Sequence, residues 1–132
     1  MQVIDSRNCA PGMIVRVPAG LFHHVGIVSD RWSDGKPMII SNSRRRGGVA
    51  EEPWTVALGT GRVTVLGHQS HLEPYEVVER ARARIGQPWD LFNFNCEHLV
   101  AYACGREEAS AQLRVAVLLA GVVLAVSLIS RG

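Results

Sequence analysis

The chain has 132 residues, of which 47% are hydrophobic and 20% are charged, and its formal net charge at pH 7 is +2. This length fits one domain with a short appendage, and this apolar content is enough for a buried core. The small net charge excludes a dedicated nucleic-acid binder, whose domain carries a strong basic excess. The basic run 44–46 (RRR) is therefore interpreted as a solvated or phosphate-facing turn.

Short runs rich in β-branched residues predict the first elements of the fold. They give three strands, at 13–17 (MIVRV), 23–30 (HHVGIVSD) and 38–41 (MIIS). The short turn between the second and third strands predicts that these two pair antiparallel. The segment 44–49 (RRRGGV) is expected to be a loop. A further hairpin is expected from 54–58 (WTVAL) and 62–67 (RVTVLG), which are separated by Gly-Thr-Gly.

From Pro74 onward the apolar spacing changes to that of a helix. Val77, Val78, Ala81 and Ile85 fall on one helical face, and the helix is expected to stop at a glycine at position 86. A second helix is predicted to start at Cys96, with Asn95 as its N-cap and Gly105 as its stop signal. Residues 1–108 thus predict one mixed globular domain.

Residues 111–130 (AQLRVAVLLAGVVLAVSLIS) differ sharply from the rest and predict a C-terminal hydrophobic helix. From Val115 to Ile129 a helix would be about 23 Å long, short of the ~30 Å hydrocarbon core of a bilayer. A short anchor, an obliquely inserted helix and a core helix therefore stay open. Arg114 and Arg131 bracket the stretch as interfacial anchors do, which favours membrane insertion.

The three cysteines, Cys9, Cys96 and Cys104, cannot all pair within one chain, and their spacing fits no zinc pattern. Reduced thiols in a reducing, cytosolic compartment are the simplest interpretation, and no metal or organic cofactor is expected. The first residues of the chain contain no apolar stretch of the kind found in a secretory signal.

Cys96 has two interpretations. A lone cysteine is commonly a buried, inert residue, and Cys9 and Cys104 are predicted to be of this kind. The predicted position of Cys96 at a helix N-terminus, however, puts its sulfur near unpaired amides that stabilise a thiolate. The same amides, including the N–H of Cys96, suit an oxyanion.

A nucleophilic cysteine needs a base, and the chain offers five histidines. His98 lies two residues after Cys96 and points away from it on the helix, whereas His68 and His71 are expected to be exposed. His23 and His24 open the second strand. Neighbours on a strand face opposite sides, so only one of these two faces the helix, and spacing alone leaves the choice open.

The segments 24–28 (HVGIV) and 95–100 (NCEHLV) resemble the two signature boxes of the lecithin retinol acyltransferase superfamily. That group includes the phospholipase A/acyltransferases and permuted relatives of the NlpC-type cysteine peptidases. Residues 11–15 (PGMIV) and 81–100 resemble the strand before the histidine box and the approach to the cysteine box. The resemblance implies an α+β fold of permuted papain-like (NlpC-type) topology, with an antiparallel sheet packed on the cysteine-bearing helix.

The resemblance also implies roles for individual residues. Cys96 is expected to be the nucleophile and His24 its base, and Gly26, on the His24 face, is expected to leave room for substrate. A third group should hold the imidazole ring. Relatives often use a histidine on the next strand, but this chain has Ser41 and Asn42 there. Simple register favours Ser41 and chemistry favours Asn42, and strand alternation forbids both from facing His24.

The resulting expectation is a cysteine-dependent hydrolase or acyltransferase that acts on phospholipid acyl esters through a thioacyl-enzyme. Residues 1–108 would form its catalytic domain, on the cytosolic side of a membrane to which residues 111–130 attach it. Two alternatives stay open. One is an NlpC-type amidase or peptidase that uses the same residues, and the other is a non-enzymatic membrane-binding module.

Overall fold

A computed structural model describes residues 6–106 and 118–119 of the chain. The described residues form an α+β domain, as predicted, with one antiparallel sheet. Its strands are β1 (Ile14–Ala19), β2 (Phe22–Ser33), β3 (Lys36–Ser43), β4 (Gly48–Glu52) and β5 (Thr64–Gly67). Its helices are α1 (Trp54–Leu58), α2 (Pro74–Arg82) and α3 (Cys96–Ala103), and a short 3-10 helix covers Ser6–Asn8.

The predicted hydrophobic tail at 111–130 lies outside the described residues except for Leu118 and Leu119, which are both exposed. Among the helices of the described part, none has the length and apolar content needed to cross a bilayer.

The sheet has the strand order β4-β3-β2-β1-β5, so the predicted histidine strand β2 lies at its centre. All three predicted strands are present, and the second and third pair antiparallel as expected. The paired residues of β2 and β3 run from Ile27–Ile40 to Ser33–Lys36. The first residues of β2 pair with β1 instead, from Phe22–Ala19 onward. The start of β2 therefore has one edge that β3 does not cover.

Two predictions in the middle of the chain are wrong. Residues 54–58 form the helix α1 rather than a strand, because Trp54 and Leu58 lie one helical turn apart and both bury under the sheet. The expected hairpin is therefore absent from the described residues, and β5 pairs with β1. Part of the expected loop at 44–49 is also a strand, since β4 begins at Gly48 and pairs with β3.

The sheet is packed on both sides. One side, called the α3 face here, packs against α2 and α3 through Ile14, Ile27, Ile40, Val77, Val78, Leu99 and Val100. The other side, called the α1 face, packs against α1 through Val15, Val28, Ile39, Trp54 and Leu58. Cys104 is buried in the first cluster and Cys9 in the second, as predicted for structural cysteines.

Residues 86–89 run along the outer edge of β4. The N–H of Val49 donates to the carbonyl of Gln87 at 3.0 Å, and the N–H of Trp89 donates to the carbonyl of Gly47 at 3.0 Å. Gly48 permits this approach, since a Cβ added to it would lie 2.5 Å from the Gln87 oxygen. The absence of a side chain at Gly48 thus allows residues 86–89 to pack against β4, which positions Trp89.

We expect Gly48→Ala to destabilise the domain by about 1–3 kcal/mol, because a backbone oxygen cannot move aside as a flexible side chain can. Gly61→Ala is the matched control, since a Cβ there meets nothing within 4 Å. Both changes remove the same freedom from the unfolded chain, so their difference reports the folded state. Urea unfolding of both variants measures it, and equal stabilities would contradict the packing argument.

Candidate active site

A cavity of about 540 Å³ opens where the start of β2, the end of β3, α1 and the loop before α3 meet. Three of the four predicted site residues line it: His24, Asn42 and Cys96. Its apolar wall includes Phe22, Leu58, Trp89 and Leu91. Ser41 is buried beside this cavity but is not among its lining residues.

The N-terminus of α3 is held by a reciprocal cap. The side-chain oxygen of Asn95 accepts hydrogen bonds from the backbone N–H groups of Glu97 at 3.0 Å and His98 at 3.3 Å. The Nδ1 atom of His98 accepts in return from the backbone N–H of Asn95 at 3.0 Å. The N-cap role of Asn95 was predicted, but that of His98 was missed. Its position three residues after the cap was the available signal.

Cys96 follows this cap and is buried, with 3% of its surface exposed. Its thiol donates to the backbone carbonyl of His23 at 3.8 Å, at the edge of β2 that β3 leaves uncovered. The sulfur therefore lies against the backbone on which His24 is mounted.

Burial raises the pKa of the Cys96 thiol, although the backbone N–H groups of Val25, Glu97 and Cys96 favour the thiolate. The stabilised thiolate predicted from the helix amides is therefore wrong. Desolvation of the charged sulfur outweighs those amides. The neutral thiol is the resting form, and a nucleophilic Cys96 therefore needs a base.

Side chains alternate along β2. Val25 and Ile27 pack on the α3 face and Val28 on the α1 face, which assigns His23 to the former and His24 to the latter. This part of β2 does not pair with β3, and both histidines line the cavity. The structure thus brings His23, His24 and Cys96 to one cavity.

His24 differs from His23 in its burial. His23 is exposed, whereas His24 is partly buried and its Nε2 atom has no hydrogen-bond partner among the described residues. Burial, together with the positive charge of Arg45, lowers the pKa of His24, and the carboxylate of Glu52 opposes this only in part. The imidazole of His24 is therefore neutral at pH 7, with a nitrogen available to accept a proton.

Ser41 and Asn42 lie on opposite faces of β3, as strand alternation requires. Asn42 shares the α3 face with Ile40, and its Nδ2 atom donates to the carbonyl of Phe94 at 2.9 Å, next to the N-cap of α3. Its Oδ1 atom is buried and has no hydrogen-bond partner in the described part of the chain. Ser41 lies on the His24 side of the sheet, and its Oγ atom is likewise buried without such a partner.

Gly26 was expected to leave room for substrate. The structure fills this room with protein, because a Cβ on Gly26 would lie 2.6 Å from the Cγ2 atom of Ile39 and 3.3 Å from the Cβ atom of Ser41. The glycine therefore allows β3 to pack closely on β2, and the expectation of a substrate space beside it is wrong.

Within residues 6–106 and 118–119, no group of three or more histidine, cysteine, aspartate or glutamate side chains could hold a metal ion. Comparisons with protein-family models and with curated proteins find no match for the chain.

Proposed function

We propose that this chain is a cysteine-dependent acyl hydrolase or acyltransferase of the lecithin retinol acyltransferase type, acting on phospholipid acyl esters. One observation carries the proposal: a thiol at a capped helix N-terminus and a neutral imidazole line the same cavity. In this proposal residues 1–108 form the catalytic domain. Residues 111–130 hold it at a membrane, on the side of a reducing cytosolic compartment.

The proposal includes the permuted papain-like (NlpC-type) fold. Its support is the order of the elements, since the histidine strand β2 precedes the cysteine helix α3 in the chain. A central position of β2 in an antiparallel sheet and the packing of α3 on β2 and β3 add to this support.

In the proposed reaction His24 removes the proton of the Cys96 thiol while the sulfur attacks the ester carbonyl. The oxyanion that forms is stabilised by the backbone N–H of Cys96 at the start of α3. As the intermediate collapses, the carbon–oxygen bond breaks and protonated His24 returns the proton to the leaving alcohol. Water, or an acceptor amine or alcohol, then attacks the thioester with His24 as base again, and the thiol is regenerated.

Ser41 is the proposed third member of the site, because it lies on the same face of the sheet as His24 and its buried Oγ atom has no hydrogen-bond partner among the described residues. An acceptor for the second ring N–H fixes the tautomer in which the other nitrogen is the base. Asn42 is the competing residue for this role, since it lines the cavity, but it lies on the opposite face, where its amide donates to the carbonyl of Phe94.

The lining of the cavity supports a lipid acyl chain over a polar peptide as the substrate. Phe22, Leu58 and Leu91 provide an apolar wall, and burial of each methylene of a chain contributes about 0.8 kcal/mol. The apolar segment 111–130 supports the same choice, since a membrane-held enzyme meets acyl esters at high local concentration.

The proposal is tested by intact-protein mass spectrometry after rapid acid quench of a reaction with dihexanoyl phosphatidylcholine. We expect a mass increase of one hexanoyl group on the parent protein and none on Cys96→Ala. Cys104→Ala is the matched control, because its sulfur lies in the core at the other end of α3, and it should keep the adduct. An adduct on the Cys96→Ala variant, or cleavage of peptides with no acylation by the lipid, would overturn the proposal.

A further inference from the structure

The lining of the cavity carries positive charge that takes no direct part in the proposed reaction. Arg44 and Arg45 both line the cavity, on the turn between β3 and β4. Among the described residues that line the cavity, none is acidic. Whether each guanidinium group already has a carboxylate partner decides which of them can bind a ligand.

Arg45 is already paired with a carboxylate. Its Nη2 atom donates to both carboxylate oxygens of Glu52, at 2.8 and 3.1 Å, and Glu52 is buried. Arg44 has no such partner, since no carboxylate of the described residues lies within ion-pair distance of it. Its guanidinium instead lies over the ring of Trp89, 5.9 Å from the centroid. The ring supports the group by a cation–π contact and leaves its N–H donors for a ligand.

We infer that Arg44, held over Trp89, forms a subsite for an anionic phosphate or carboxylate group carried by the acyl substrate of the Cys96 cavity. A guanidinium presents paired donors that match the oxygens of such a group. The cavity then combines an apolar wall, a thiol and, as far as the described part of the chain goes, one guanidinium without a carboxylate partner, which together fit an anionic amphiphile. The inference rests on the proposed function and deepens it by naming the substrate class.

The test measures binding to the Cys96→Ala protein, so it does not depend on turnover. Tryptophan fluorescence follows titration with two ligands that have the same acyl chains: dihexanoyl phosphatidate, which is anionic, and dihexanoylglycerol, which is neutral. We expect Arg44→Gln to weaken phosphatidate binding about tenfold, as loss of one charge-assisted contact does, and to leave the neutral ligand unchanged.

Arg46→Gln is the matched control, because Arg46 is an exposed residue of the same turn that does not line the cavity. It should bind both ligands as the parent does. A further measurement tests whether inorganic phosphate competes with phosphatidate. If phosphate alone competes with phosphatidate through Arg44, the subsite takes the free ion as well, and if it does not, the subsite takes the ester-linked group.

Two results would overturn the inference: unchanged phosphatidate binding by Arg44→Gln, or an equal loss for both ligands. Neither bears on acylation of Cys96, so the inference can fail while the proposed reaction stands. Conversely, Arg44-dependent binding without any acyl adduct on the parent protein would retain the subsite and overturn the reaction.

Discussion

Replacing His24 by glutamine is expected to lower kcat/KM for acyl-ester hydrolysis by about 10²–10⁴-fold, the usual contribution of a general base. The effect is large because burial keeps Cys96 as a neutral thiol, which has little reactivity until its proton is removed. Steady-state rates with a soluble short-chain ester measure the loss. Cys96→Ala sets the lower limit, since it removes the proposed nucleophile.

His23→Gln is the matched control for this prediction. It makes the same chemical change at the neighbouring residue, and it leaves in place the backbone carbonyl that accepts from the Cys96 thiol. Because His23 is exposed, we expect only a small change in rate. A large loss in His23→Gln together with a small loss in His24→Gln would assign the base to the histidine on the α3 face and overturn the choice of His24.

The pH dependence of the rate follows from the same site. In the proposed reaction His24 must be neutral to accept a proton, so kcat/KM should rise with pH as the imidazole loses its proton. Since burial, aided by Arg45, lowers the pKa of His24, this rise should be centred below the ordinary histidine value of 6.5. A rise centred above 6.5 would contradict the environment described for His24, and the rise should vanish in His24→Gln.

Local signals in the sequence predicted the elements on which the site is built. The alternation in 23–30 gives β2, and Asn95 before Cys96 gives the start of α3, because each depends on a few neighbouring residues. The prediction of a strand at 54–58 was wrong because the local residues do not decide the structure there. Five residues with two β-branched side chains fit a strand as well as a helix, and burial of Trp54 and Leu58 decides between them.

Chemical properties that depend on distant residues could not be predicted. The pKa of Cys96 is set by burial against β2, from which it is separated by about half of the chain. The cavity lies beside the start of β2, which does not pair with β3, and no local pattern in the sequence marks where that pairing stops. Arg44 was correctly placed in a turn, but its position over Trp89 depends on the path of residues 86–89 beside β4.

β4 was not predicted, because its sequence (GVAEE) ends in two glutamates and lacks the apolar pattern of a strand. The side chain of Glu51 is only 6% exposed, and it pairs with Arg82 of α2 at 3.0 Å. It also accepts a hydrogen bond from the hydroxyl of Ser29. Glu51 of the edge strand β4 thus links Arg82 of α2 to Ser29 of the central strand β2. These residues are far apart in the sequence and meet only in the folded chain.

Glu51→Gln is expected to lower the free energy of unfolding by about 3 kcal/mol at pH 7, because it leaves the positive charge of Arg82 without its buried partner. Asp30 still pairs with Arg82 at 2.6 Å, which keeps the loss at the low end of the range for a broken buried pair. Glu79→Gln is the matched control. It removes a carboxylate from the same guanidinium, but that side chain is 65% exposed, so the loss should stay below about 1 kcal/mol.

The pH dependence of the unfolding free energy tests the contribution of the Glu51 carboxylate. Desolvation alone would raise the pKa of Glu51, yet the hydrogen bonds from Arg82 and Ser29 outweigh it and leave the pKa below the ordinary value of 4.5. A lowered folded-state pKa means that the stability from this carboxylate is complete above the unfolded value and is lost as pH falls through the folded one. Urea unfolding between pH 7 and pH 3 should therefore show a steeper loss in the parent than in Glu51→Gln. Equal slopes, or equal losses in Glu51→Gln and Glu79→Gln at pH 7, would mean that the buried pair does not hold α2 on the sheet.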